Sequence, residues 1–224
     1  LDNSGEQLCW ISWNHPNMPW DNTQLWLSHL ADDGALLSPT LIAGNGEESI
    51  SQPRWSPDNQ LYFVSDRDNW WNIYQYQPGG TITAVLPMAA EFATPLWVLG
   101  MSNYDFCSDG TLLCSYSHEG SWHLATLSPE ASTLHPVPTD YTQISDVYCH
   151  GDRGWLVGAS PQTAAELAEW HISDNSPHAV VHGEPITFDL GYLSQPQPIT
   201  FPPGNNLSAH AFYYPPTNPE FSAP

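Results

Sequence analysis

A nucleophilic serine on a strand-to-helix elbow requires Gly-x-Ser-x-Gly, because small residues on both sides allow the strained turn. Two stretches come close, Gly100-Met101-Ser102-Asn103-Tyr104 and Gly158-Ala159-Ser160-Pro161-Gln162. Each lacks the second glycine and sits in a strand-rich repeat, so both serines read as structural. Ten histidines raise the question of a metal. His178 and His182 would share a face on a helix, but the intervening Ala179-Val180-Val181 is strand-forming and sets them about 13 Å apart. Cys149-His150 has no Cys-x-x-Cys partner. No metal site and no cofactor are expected.

The four cysteines, Cys9, Cys107, Cys114 and Cys149, are too sparse for a disulfide scaffold. With Asp109-Gly110 as a two-residue hairpin turn, Cys107 pairs Leu112 and Cys114 pairs Asp105, so the two nearest cysteines do not face each other. Free thiols in a reducing compartment follow, and with them a cytoplasmic location. Eleven tryptophans suggest a carbohydrate platform. Trp10, Trp55, Trp97 and Trp155, however, fall in apolar strand positions, where packing between sheets is the simpler reading. Trp70-Trp71 beside Asp66-Arg67-Asp68 is the better exposed candidate. A sialidase-type box needs Ser-x-Asp-x-Gly followed by Trp. The stretch Ser108-Asp109-Gly110-Thr111 lacks that spacing, which counts against a glycosidase built on paired carboxylates.

The charge balance narrows the partners. Of 224 residues 24 are acidic and three are basic, Arg54, Arg67 and Arg153, giving a formal net charge of −21. Nucleic acid and anionic membrane surfaces are poor partners for such a chain. The imbalance comes from missing lysine rather than surplus carboxylate, so salt adaptation is a weak explanation. No apolar run reaches the roughly 18 residues that span a bilayer, and no basic stretch followed by an apolar segment opens the chain. The abrupt start at Leu1 reads as a fragment boundary.

The elements that carry these residues are strands. In Trp55-Ser56-Pro57-Asp58-Asn59, Pro57 presets φ for a turn, while Asp58 and Asn59 tolerate the left-handed region and bond their own backbone. The run Leu61-Tyr62-Phe63-Val64 has no inside/outside alternation, as expected of a strand covered on both faces. Trp70-Trp71-Asn72-Ile73-Tyr74 is the next strand, and Gly79-Gly80 turns into a fourth over 81–86. Degraded copies of this meander surround it. Aligned on Trp26, Tyr74, Ala125 and Ala168, the third strands recur at 48, 51 and 43 residues, within the range of propeller blades. Residues 161–170 have a helix-like composition but occupy a third-strand slot and are assigned to strand.

The fold class is therefore all-β: a β-propeller fragment of about four blades, each a four-stranded antiparallel meander, the first lacking one strand. The blades span about 1–44, 45–88, 95–138 and 143–184, within a propeller part covering 1–190. Residues 191–224 read as a linker and a further strand leading into another domain.

Glu48-Ser49-Ile50, Gln52-Pro53, Trp55-Ser56-Pro57-Asp58, Leu61-Tyr62-Phe63-Val64-Ser65-Asp66 and Trp70-Trp71-Asn72-Ile73-Tyr74 together resemble the propeller of the prolyl oligopeptidase family of serine peptidases. The branch most similar is the acylaminoacyl-peptidase or dipeptidyl-aminopeptidase type. The stretch 9–21, Ala90-Glu91-Phe92 with Pro95 and Trp97, and 210–219 are similar to the same branch. The resemblance implies a non-catalytic segment of a larger enzyme. Its missing partners would be the remaining blades and an α/β-hydrolase domain holding the Ser-Asp-His triad, and it would gate short peptides into the chamber. It also nominates Glu47, Glu48 and Glu91 as substrate-binding, because related enzymes meet a peptide's free ammonium with propeller glutamates. An uncovered blade face implies self-association of the fragment. The competing reading is a self-standing propeller that binds peptide, protein or glycan.

Overall fold

A computed structural model describes residues 1–77, 79–204 and 207–221. Within them the chain forms five antiparallel sheets. The first blade holds β1 (Gln7–Ser12), β2 (Gln24–Leu30) and β3 (Leu36–Ala43). The second holds β4 (Ile50–Trp55), β5 (Leu61–Ser65), β6 (Asn72–Tyr76) and β7 (Ile82–Ala84). The third holds β8 (Tyr104–Phe106), β9 (Leu112–His118), β10 (Ser121–Ser128) and β11 (Thr133–Val137). The fourth holds β12 (Gln143–His150), β13 (Arg153–Ser160), β14 (Thr163–His171) and β15 (His178–Val181). A separate hairpin joins β16 (Gln197–Gly204) to β17 (Leu207–Tyr213). This is a propeller fragment whose first blade has three strands, and residues 161–170 belong mostly to β14.

The repeat shows in the register. Trp26, Tyr74, Ala125 and Ala168 face Trp10, Phe63, Cys114 and Leu156 on one side and Leu41, Ala84, Pro136 and Ala179 on the other. The four positions are thus equivalent. Each gap between blades is filled by side chains of both neighbours, and this is why Leu61 to Val64 of β5 form an unbroken buried apolar run. Leu61 and Phe63 pack with Leu25 and Ala43 of the first blade, while Tyr62 and Val64 pack with Tyr104, Phe106 and Leu112 of the third. β9 repeats the division, with Leu112 and Cys114 facing the second blade and Leu113 facing Ile144, Leu156 and Trp170 of the fourth. A strand covered on both faces loses water from every side chain, each contributing about 1.5–3 kcal/mol.

The turn at Ser56 works as its residues imply. Asn59 has φ of 67°, and Gln60 N–H donates to the Ser56 hydroxyl at 2.9 Å. The hairpin between β8 and β9 differs from expectation by one residue. Cys107 N–H donates to Thr111 O at 2.8 Å, so three residues, Ser108 to Gly110, make the loop, and Cys114 pairs Tyr104 instead of Asp105. Gly110 at φ 86° accommodates the extra residue. Strand β6 begins at Asn72, leaving Trp70 40% exposed. Trp97 lies in a loop and is 71% exposed, against Trp20 at a ring separation of 4.3 Å, so it is not part of the core.

Candidate functional site

The acidic residues are best approached through the loop that carries Glu91. Asn72, at the start of β6, clasps the Met88 backbone: its Nδ2 donates to Met88 O at 2.9 Å and its Oδ1 accepts from Met88 N at 2.7 Å. Ala90, Phe92 and Ala93 are then buried between the second and third blades. Glu91 and Ser117 exchange backbone hydrogen bonds at 2.8 and 2.9 Å. With both neighbours immersed and its backbone paired to β9, the Glu91 side chain has a fixed origin. Its Oε2 accepts the Trp71 N–H at 2.8 Å.

Asp66 arrives from the other side, at the exit of β5. Its Oδ1 accepts from Ser49 N at 2.7 Å, and Asn69 N–H closes the turn on Asp66 O at 2.8 Å. Asn69, at φ 65°, makes the tight reversal possible. Glu47, Asp66, Arg67, Asn69, Trp71 and Glu91 line one open cavity of about 400 Å³. Asp66 and Glu91 each spend one oxygen on a backbone N–H. Among the described residues, Asp66 Oδ2 and Glu91 Oε1 take no protein hydrogen bond.

Electrostatics separates the carboxylates into two groups. Glu48 is committed elsewhere: its Oε1 accepts from Ser65 Oγ at 2.6 Å and from Arg67 Nε and Nη2 at 3.0 and 2.5 Å, and its Oε2 accepts from Gly44 N at 3.0 Å. Arg67 is also held over the Tyr74 ring at 4.8 Å. Among the described residues, Arg67 is the cation that lines this cavity, and it is already paired with Glu48. Burial pushes the Asp66 carboxyl above its ordinary value, against the Ser49 N–H that lowers it, and the charge of Glu48 adds to the rise. Burial also raises Glu91, against the Trp71 N–H, with the Asp66 charge adding to it. Two carboxyls that have both lost water, one of them also opposed by the other's charge, are stabilised by a cation placed between them.

The sequence placed Glu47, Glu48 and Glu91 in one group. The structure brings Glu47 and Glu91 to the same cavity, turns Glu48 into the anchor of Arg67, and adds Asp66 and Trp71. The motif Asp66-Arg67-Asp68 beside Trp70-Trp71 was visible in the sequence, but as a candidate for glycan stacking. What hid the shared cavity is that Asp66 and Glu91 lie 25 residues apart in sequence, on separate loops.

The serines of the two near-elbows bond locally, Ser160 accepting the Gln162 N–H at 3.3 Å in the turn after β13. Ser102 is buried; its hydroxyl accepts from Arg54 Nη2 at 2.7 Å and lies 2.5 Å from Val147 O. Gly158 is required because a Cβ there would come within 2.4 Å of the Tyr141 ring, whose hydroxyl donates to Glu166 at 2.6 Å. The two histidines also have separate partners, His182 with Glu166 at 2.9 Å and His178 with Glu169 at 3.7 Å. Among the described residues no three His, Cys, Asp or Glu side chains converge on a possible metal position.

No family model matches this sequence, and no curated protein does. Solved structures do. A puromycin hydrolase superposes with a TM-score of 0.91 at 32% identity, and a puromycin-hydrolyzing peptidase of Mycobacterium tuberculosis with 0.91 at 31%. Both comparisons cover 100% of this chain and 34% of the other, so the chain spans about a third of those proteins. Prolyl oligopeptidase B of Galerina marginata shares the fold with a TM-score of 0.71 at 10% identity over 94% of this chain and 29% of its own. The blade-by-blade register and the whole-length similarity to the hydrolases converge: this chain is a β-propeller segment of the prolyl oligopeptidase family.

Proposed function

We propose that the chain forms part of the wall of a peptidase chamber and that the cavity of Glu47, Asp66 and Glu91 receives the free amino terminus of a short peptide. The observation that carries this reading is the pair Asp66 and Glu91. Both are half-buried, both have one oxygen spent and one available, and neither forms an ion pair with Arg67, whose charge lowers the Asp66 carboxyl somewhat but whose guanidinium is bonded to Glu48. An ammonium supplies three donors and a charge, which is what two such oxygens lack. Trp71 offers the flanking side chain an apolar surface. The similarity to puromycin-hydrolysing proteins, one of them solved with a bound compound designated PGG, supports a small substrate. In the intact enzyme the propeller admits short peptides and excludes folded proteins by size, and bond cleavage belongs to residues outside this chain.

The test is selectivity. In the full-length protein, Glu91→Gln keeps an acceptor for Trp71 N–H while removing the charge. It is expected to lower kcat/KM for peptides with a free amino terminus by roughly 10- to 100-fold, on the scale of a charge-assisted contact, and to leave N-acetylated substrates unchanged. Equal losses on both would remove the amino-terminal role. Hydrolysis by the isolated chain would overturn the assignment of catalysis to residues outside it.

A further inference from the structure

All four thiols are free, as the sequence suggested, but two of them lie in contact. Cys107 follows β8, and Cys149 lies near the end of β12, 42 residues away, yet their sulfur atoms are 2.9 Å apart, inside van der Waals separation. Cys149 N–H donates to Asp105 Oδ2 at 3.0 Å, Ser108 N–H donates to Gly151 O at 2.7 Å, and Val147 N–H donates to Ser102 O at 3.0 Å. These bonds pin β12 against β8 on both sides of the pair. Directly across the ladder from Cys149 stands Gly154. A Cβ there would come within 2.3 Å of the buried Leu113 Cδ2, so glycine lets Leu113 pack beside the pair, with Cys149 Sγ in ordinary contact at 3.6 Å.

We propose that Cys107 and Cys149 form a reversible disulfide that locks the third blade to the fourth. The two residues are unequal in access: Cys107 is fully buried and Cys149 half-buried. Reaction with a low-molecular-weight disulfide such as oxidised glutathione therefore starts at Cys149. Its thiolate attacks one glutathione sulfur, the S–S bond breaks, and one glutathione thiolate leaves. Cys107 then gives up its proton and attacks the Cys149 sulfur of the mixed disulfide, expelling the second glutathione thiolate. Two protein thiols are oxidised by two electrons, and one glutathione disulfide is reduced to two thiols. Contact with Cys107, burial and the Asp105 charge together hold the Cys149 thiol neutral. Cross-linking is consequently slow at neutral pH and accelerates with rising pH. Cys114, buried with its thiol against Ala125 O, and Cys9, in the first blade, lie outside the pair.

The experiment equilibrates the full-length protein in glutathione buffers of increasing oxidised fraction. It then quenches with acid, alkylates, digests with pepsin and maps the peptides by mass spectrometry. The expected product is one linked pair containing Cys107 and Cys149, two hydrogen masses below the sum of the reduced peptides, with Cys9 and Cys114 alkylated. Oxidation should raise the midpoint of thermal unfolding of the propeller by roughly 5–10 °C, and Cys149→Ser should abolish both changes. Separate alkylation of Cys107 and Cys149 after oxidation overturns the proposal. So does a glutathione adduct that persists on Cys149, or pairing through Cys9 or Cys114. The wild-type map decides these outcomes even if the serine variant fails to fold.

Discussion

Gln52 and Asn103 hold each other across the gap between the second and third blades: Asn103 N–H donates to Gln52 Oε1 at 2.6 Å, and Gln52 Nε2 donates to Asn103 Oδ1 at 3.1 Å. The Gln52 backbone joins in, its carbonyl accepting from the buried Tyr104 hydroxyl at 2.7 Å. Gln52 has φ of 51° and sits in the bulge between Ser51 and Arg54, which takes it out of the β4–β5 ladder. The strained backbone therefore coincides with the residue that joins two blades. Gln52→Ala keeps the unfavourable φ and removes two hydrogen bonds. It should cost about 2 kcal/mol, seen as a lower urea midpoint with an unchanged slope.

The Glu48–Arg67 pair is a structural ion pair whose side chains are 13% and 26% exposed. Arg67→Ala leaves a poorly solvated carboxylate without its cation and should destabilise by about 3 kcal/mol. Pairing it with Glu48→Gln should restore part of that loss, a coupling that a double-mutant cycle in chemical denaturation measures. Arg67→Lys should not rescue fully. A lysine cannot present the two guanidinium donors that reach Glu48 Oε1, nor stack its plane on Tyr74.

Ser102 separates structure from chemistry. Ser102→Ala removes the acceptor for Arg54, whose guanidinium also lies 5.4 Å from the Tyr148 ring centroid. The variant should unfold about 1–2 kcal/mol more easily. In the full-length protein it should leave peptide hydrolysis within about twofold of wild type, whereas removal of a nucleophile costs several orders of magnitude. Assaying stability and turnover on the same sample distinguishes the two.

The raised carboxyls of Asp66 and Glu91 give a pH dependence whose sign follows directly. Ammonium binding requires them ionised, and burial moves their ionisation above the ordinary values of 3.8 and 4.5. Affinity for a free amino terminus should therefore fall as pH drops through a range above those values, and Glu91→Gln should remove part of the dependence. For stability the sign is the opposite of that for a salt-bridged carboxylate. Because the folded values lie above the unfolded ones, these two groups favour folding at low pH, and that contribution is lost as pH rises through the folded values. Titrating KM for matched free and acetylated peptides across pH, beside thermal unfolding curves, checks both.

Much of the fold was legible in the residues because its determinants are local. The turn Ser56-Pro57-Asp58-Asn59 specifies its own reversal, and Leu61 to Val64 announces a strand covered on both faces. The equivalence of Trp26, Tyr74, Ala125 and Ala168 repeats the same short-range chemistry. The loop at Ser108 slipped by one residue because a two-residue and a three-residue turn read alike in Ser-Asp-Gly. Trp97 misled because hydrophobicity alone does not say whether a side chain faces a blade or a loop.

The strand order was thus determined by the sequence itself, through spacing and turn chemistry that act over a few residues, and the ordered motifs from Glu48 to Tyr74 carried the family resemblance. The site and the thiol pair were decided only by tertiary structure. Asp66 and Glu91 come to line one cavity, Glu48 is withdrawn by Arg67, and Cys107 meets Cys149 over 42 residues. The physical reason is that blade stacking sets which side chains share a gap, and a charge or a thiol acquires its role from the neighbour it finds there. No pattern along a single strand encodes that neighbour.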